Sequence, residues 1–274
     1  MSEPAPSRSG SAPSAPSAPA YDYAALVDGL TQYLRLRTLP IGMKRFKTRA
    51  EMEAIPKIRR PTEKMVFDQI VGQARLLGWT VGVTADDFAG PQCARPIGLA
   101  PRSPDWLSGL HMKGVWYETE RDAGAHQAAM DCAPYGEHEA LAVSPLTSGR
   151  LDPPDICLIY ATPGQMILFI NGLQYTGYQK LEFTVVGESA CADSWGKALK
   201  TGEPSLSIPC YAERRFGGVA DEEMLMALPP HFLPKVLDGL AKLSRNGFRY
   251  PISPWGVQNS PSASLARSYP DRKA

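Results

Sequence analysis

The sequence predicts an α+β fold: a single domain in which helices pack on a mixed β-sheet. Three observations predict it. Short apolar runs bounded by turn residues read as buried strands, as in Ile41–Phe46, Ala140–Pro145 and Ile156–Tyr160. Apolar residues at three- and four-residue spacing read as helices, as in Tyr21–Arg37, Pro61–Leu77 and His231–Leu243. The two kinds of segment do not alternate regularly and no fixed-period repeat is present, which disfavours a doubly wound parallel sheet.

In the first helix Leu26, Leu30, Tyr33 and Leu34 form one face, and Leu39-Pro40 ends it. Pro61-Thr62-Glu63 starts the second helix, Gly78 stops it, and Trp79–Val83 follows as a short strand. Thr84–Pro104 reads as a loop, with one or two helical turns in Gln92–Leu99 that put Cys93 near their start. Gly109–Trp116 reads as strand or loop, and Thr119–Asp131 as a helix. The strand Ile156–Tyr160 runs through a turn into a helix over Gln165–Tyr175. Two further strands are expected to end at cysteines: Leu181–Val186 before Cys191, and Ser205–Pro209 before Cys210. Asp221–Leu228 suits a strand, although its Met-Leu-Met run is also compatible with a helix.

The folded domain is expected over 21–258. Met1–Ala20 is nearly all Ser, Ala and Pro and reads as a disordered tail, and 259–274 as a flexible one. No apolar core follows a basic start, so no secretory signal is read. The net charge of +1 comes without a basic block, which argues against nucleic acid as a partner. The longest apolar run, Ile156–Leu173, is broken by Pro163, Gly164, Gln165 and Asn171, which suits a core rather than a membrane span. These features predict a soluble cytoplasmic protein with a small-molecule partner, compatible with an oligomer.

The chemistry is expected at the cysteines. There are five, an odd number, with no CxxC pair, so neither a disulfide framework nor a zinc ribbon is read. Cys93, Cys191 and Cys210 occupy turn-rich or element-end positions (PQC, ESAC, IPC), where rigid elements hold side chains that still reach solvent. A thiolate is both a nucleophile and a soft metal ligand. Three of them would hold an iron–sulfur cluster with one iron open, or a single zinc or iron ion with an open position. Two alternatives stand beside this: one metal-free nucleophilic cysteine, or a small-ligand-binding module whose cysteines only fill core gaps. Cys157, inside an apolar strand, belongs to the last class. Glu213 and Asp87 are candidate proton-transfer groups, and Arg214 a candidate clamp for an anionic substrate. No HExxH, GxSxG, GxGxxG or Walker pattern occurs, so no nucleotide cofactor is implied.

Several stretches in one order, PDICLIYATPGQMILFINGLQYTG, SACADSWGKALKTGEPSLSIPCYAERR and DEEMLMALPPHFLPKVLDGL, together with RTLPIGMKRF and ARLLGWTVGVTADDF upstream, resemble the domain of unknown function 169 family, also labelled ArCR. The resemblance covers roughly Ala25 to Tyr250 and implies a soluble single domain of unassigned biochemistry, with cysteines at Cys191, Cys210 and in the loop of Cys93. It also implies, in many members, a cysteine near the start of the second helix, where this chain has Val66, Phe67 and Asp68. Ala212 stands where the family usually has glycine, and Arg214 matches the family's arginine. The expectation is then a metal- or iron–sulfur-dependent enzyme of hydro-lyase or hydrolase type, acting on a small anionic substrate.

Overall fold

The computed structural model describes residues 21–90 and 92–252, so both terminal tails read from the sequence lie outside the described residues. Six strands form one sheet: β1 (Ile41–Phe46), β2 (Val81–Thr84), β3 (Ala140–Pro145), β4 (Ile156–Ala161), β5 (Ser205–Ser207) and β6 (Met224–Leu228). Their spatial order is β2-β3-β1-β4-β6-β5. The helices are α1 (Tyr23–Leu34), α2 (Arg49–Glu53), α3 (Phe67–Leu77), α4 (Pro104–Leu107), α5 (Glu120–Ala129), α6 (Pro163–Gln174), α7 (Lys197–Thr201), α8 (Tyr211–Gly217) and α9 (Phe232–Arg245).

The α+β class is as expected, but the sheet is not mixed. All five neighbouring pairs are antiparallel, for example Ile41 opposite Pro145 in β1–β3 and Leu158 opposite Ala227 in β4–β6. Helices cover both faces of this antiparallel sheet, so its central strands have no solvent side and read as unbroken apolar runs. Along β4, Ile156, Leu158 and Tyr160 enter one core, and Cys157, Ile159 and Ala161 enter the other. That two-sided burial hid strand direction, because nothing in such a run distinguishes parallel from antiparallel pairing.

The second core lies under α1, α6 and α9. It contains Leu30, Leu34, Phe169, Val236 and Leu240, and it takes in Cys157. Burial pushes the Cys157 thiol well up, as suits a small apolar filler. Where α6 meets α9, Gly172 and Gly239 let the two backbones touch. A Cβ at Gly239 would collide with the Gly172 carbonyl, and main chain cannot yield as a side chain can. Gly239→Ala is therefore expected to cost roughly 2 kcal/mol or more, the upper range for overpacking. In a domain of this size that lowers the melting temperature by about 5 °C, which thermal denaturation will read.

Two local expectations are corrected. Leu181–Val186 is not a strand; it is irregular and largely exposed, and its end is tied to the Asp193 carboxylate, which accepts from Thr184 Oγ1 and the Val186 N–H, rather than to a neighbouring strand. The second helix begins at Phe67 rather than at Pro61, with Val66 as its N-cap and Gln69 Oε1 accepting from the Val66 N–H. Gly109–Trp116 settles into turns and a short 3-10 segment, Leu110–Met112.

Candidate functional site

On the first core's face, four segments from distant parts of the chain meet. They are the start of α3, the turns at Gln92–Leu99, a π-helical stretch Ala192–Gly196 that runs into α7, and the start of α8. The apolar floor is built by Phe67 and Trp195, whose rings pack edge to face with centroids 5.2 Å apart. Gly196 lets the π-helical turn press against the Asp131 carbonyl, which a Cβ there would strike. π-Helical turns recur at functional sites because they re-aim side chains. Ser189, two residues before Cys191, has a left-handed backbone (φ 63°), unfavourable for a residue with a Cβ.

Two of the three expected thiols are in contact. Cys191 Sγ shares its one S–H between Cys93 Sγ at 3.7 Å and the Ser189 carbonyl at 3.5 Å. Cys93 Sγ in turn donates to Asp68 Oδ2 at 3.6 Å. Cys210 caps α8, where its N–H donates to Glu213 Oε2 at 3.0 Å. Its sulfur lies within electrostatic reach of Cys191, Asp68, Glu188 and Glu213. All three cysteines are buried and free.

The electrostatics are one-sided. Burial pushes the Asp68 carboxyl up to about 6, against the Cys93 hydrogen bond. Burial and then the Asp68 charge push Glu213 up to about 8, against its bond from the Cys210 N–H. Burial also raises Glu188, against hydrogen bonds from the Tyr211 N–H and the Cys210 thiol. The bond from Cys191 would favour a Cys93 thiolate. Burial and the charges of Asp68 and Glu213 outweigh it and push that thiol up to about 11. Cys191 is raised by its bond to Cys93 and by burial, and Cys210 by burial and the Glu213 charge. Among the described residues, no lysine or arginine forms an ion pair with Asp68, Glu188 or Glu213. Asp68 Oδ1, Glu213 Oε1 and Trp195 Nε1 are buried without a hydrogen-bond partner among those residues. All three groups line one crevice, with Tyr160, that is too tight for a water molecule.

The other expected site residues are engaged elsewhere. Arg214 donates from Nε to the Pro209 carbonyl at 3.1 Å and from Nη1 to the Ala220 carbonyl, closing the loop after α8. Asp87 pairs with Arg60 and accepts from the Thr84 N–H, capping the turn after β2. Of the two expected proton-transfer groups, only Glu213 is beside the thiols. Asp68 was missed. Its signal was its place at the start of the second helix, where the family resemblance implies a cysteine.

Polar groups hold the Glu188–Ser189 segment that precedes Cys191. Gln92 donates to Ser189 Oγ at 3.0 Å and accepts from Trp106 Nε1 at 2.7 Å. His126 Nε2 meets the Glu188 carbonyl at 2.7 Å. Behind them, Arg75 and Glu223 form a buried pair at 3.2 Å, with the guanidinium 4.3 Å from the Tyr160 ring. Arg75→Met leaves Glu223 buried and unpaired, and is expected to cost about 3–5 kcal/mol. Adding Glu223→Gln should restore part of that loss in urea denaturation.

The donor set of three thiols and three carboxyls fits a soft or borderline cation, but the donors do not yet converge. Among the described residues, no three His, Cys, Asp or Glu side chains close on one point in the manner of a metal site.

A family model described as "Uncharacterised ArCR", DUF169, matches residues 29–239, more than half of the chain. "Uncharacterized protein MJ0308" of Methanocaldococcus jannaschii is 24% identical over 124 residues, which are 44% of this chain and 52% of that protein. The matched stretch thus spans about half the length of that relative. No solved structure matches. No helix among the described residues is long and apolar enough to cross a membrane.

Proposed function

The chain belongs to the uncharacterised ArCR family, DUF169, and we propose that within it the chain is a metal-binding protein whose centre is Cys93, Cys191 and Asp68, with Cys210 and Glu213 at its edge. The observation that carries this is the set of buried acids with no ion-pair partner among the described residues. Asp68 Oδ1 and Glu213 Oε1 are buried and unpartnered beside three free thiols. Such oxygens cost free energy until something positive or protic meets them.

The one sulfur–sulfur contact agrees with this reading. Four sulfurs at about 2.3 Å around a tetrahedral zinc stand about 3.8 Å apart, close to the 3.7 Å between Cys93 and Cys191. The same separation also suits an S–H hydrogen bond, so it is the unpartnered oxygens that favour a cation. Binding requires the side chains to rotate inward from their present arrangement, releasing protons as the thiols ionise. The direct contact between Cys93 and Cys191 favours a single zinc or iron ion over an iron–sulfur cluster, which needs room for bridging sulfides. The nucleophile reading is disfavoured because all three thiols are raised rather than depressed. An action of hydro-lyase or hydrolase type on a small anion would need an anion-holding group other than Arg214, whose guanidinium is taken by main-chain carbonyls.

Cobalt titration of the reduced protein tests the proposal. Saturating uptake with thiolate-to-cobalt charge-transfer absorption is expected, weakened in Asp68→Asn. Absorption free of thiolate character would defeat it.

A further inference from the structure

We infer that Cys93 and Cys191 close into a reversible disulfide when the protein meets hydrogen peroxide, and that this disulfide shuts the centre to a cation; the second half rests on the metal-binding reading above.

The sulfurs are 3.7 Å apart, although the residues are 98 positions apart in sequence. A disulfide needs about 2.05 Å, so the approach required is of order 1.7 Å, within reach of side-chain rotation. The setting allows this movement. Cys93 sits in a run of turns, with no helix to hold its backbone. Cys191 lies at the mouth of the π-helical turn, just after the left-handed Ser189. Other pairings are less favourable. Cys157 belongs to the core on the opposite face of the sheet, and Cys132 packs with Trp106 and Met130. Cys210 is anchored at the start of α8.

The order of events follows from exposure. Cys93 is 8% exposed and Cys191 not at all, so the peroxide reaches Cys93 first. The Cys93 sulfur attacks one peroxide oxygen and the O–O bond breaks. One water leaves with the thiol's proton, and Cys93 becomes a sulfenic acid. The Cys191 sulfur then attacks the Cys93 sulfur, its S–O bond breaks, and a second water leaves with the Cys191 proton. Two thiols are oxidised by two electrons, and one peroxide is reduced to two waters. Burial makes the first step slow, because the attacking species is the thiolate. An external dithiol returns the two electrons and restores both thiols. A disulfide sulfur carries no charge and has lost its thiolate character, so the closed pair no longer offers two ligands.

The test uses the full-length, reduced, metal-free protein. It is treated with hydrogen peroxide, then alkylated under denaturing conditions and analysed by intact mass and peptide mapping. The expected product has lost two hydrogen masses and gives a peptide linking Cys93 to Cys191. Zinc uptake should fall at least tenfold in parallel and return with dithiothreitol. Cys210→Ser should form the same link. Cys191→Ser, or Cys191→Ala if the serine variant fails to fold, should instead carry added oxygen at Cys93. The inference is overturned if both thiols still alkylate after peroxide treatment, or if either is linked to another cysteine. It is also overturned if zinc uptake persists undiminished in fully linked protein. Linkage in a reduced protein that never takes zinc would support the disulfide and defeat the metal-binding reading alone.

Discussion

Replacing Glu213 by glutamine is expected to stabilise the metal-free protein at pH 8 and to change it little at pH 5. The folded chain raises this carboxyl from an ordinary 4.5 to about 8, chiefly by burial and by the Asp68 charge. Between those values the folded state holds a proton that the unfolded state releases. The unfolded state therefore binds fewer protons, and stability falls as pH rises. The stabilising share of this group is complete below about 4.5 and lost by about 8. Asp68, raised from 3.8 to about 6, adds a loss of the same sign over its own interval. A neutral glutamine keeps an oxygen for the Cys210 N–H and carries no charge to bury. The expected gain at pH 8 is about 2 kcal/mol or more, from the pKa–stability linkage. Urea denaturation at the two pH values measures it. An equal effect at both would mean that the residue acts through packing rather than charge. The stabilisation should also reduce the further gain that zinc gives, since the charge the cation answers has been removed.

Cys93→Ser and Cys191→Ser are expected to weaken zinc binding by at least a hundredfold each. Even outer-shell changes around metal ligands cost about 10–100-fold, and serine supplies no thiolate. Cys210→Ser should cost less, because Cys210 sits at the start of α8 at the edge of the centre, whereas Cys93 and Cys191 are in contact. Cys157→Ser should leave binding unchanged, since that thiol lies in the opposite core. Isothermal titration with a competing chelator separates the four variants. Equal losses at Cys93 and Cys157 would point to general unfolding rather than ligand removal.

Much of the frame was legible in the sequence because its signals are local. Ile156–Ala161 and Phe232–Arg245 declare themselves by apolar run and by periodicity. The same locality concealed strand direction, which depends on which partner each strand meets. It also misled at Leu181–Val186, whose end is tied to Asp193 rather than to a neighbouring strand. The short α8 was hidden behind Pro209, yet Glu213 caps it by accepting from the Cys210 N–H, and that cap brings Glu213 beside the thiols. Of the site, Cys93 and Cys191 were legible as element-end cysteines, but their contact was not, because 98 residues separate them. Asp68 was invisible to motif reading for the same reason. Arg214 and Asp87 carried suitable charge, but local structure uses both, in a loop closure and a turn cap. Residue type showed what these groups could do, while main-chain geometry decided which of them had partners already.

A cation held in this acid- and thiol-rich centre should stay with the protein through gentle purification. The most direct test is the metal and acid-labile sulfide content of the natural-sequence protein, purified without oxygen and without chelators. About one zinc or iron per chain is expected, with no acid-labile sulfide, and with loss of the metal in Cys93→Ser and Cys191→Ser. Protein that is folded, fully reduced and metal-free, and that stays metal-free after exposure to zinc and ferrous iron, would contradict the metal-binding reading.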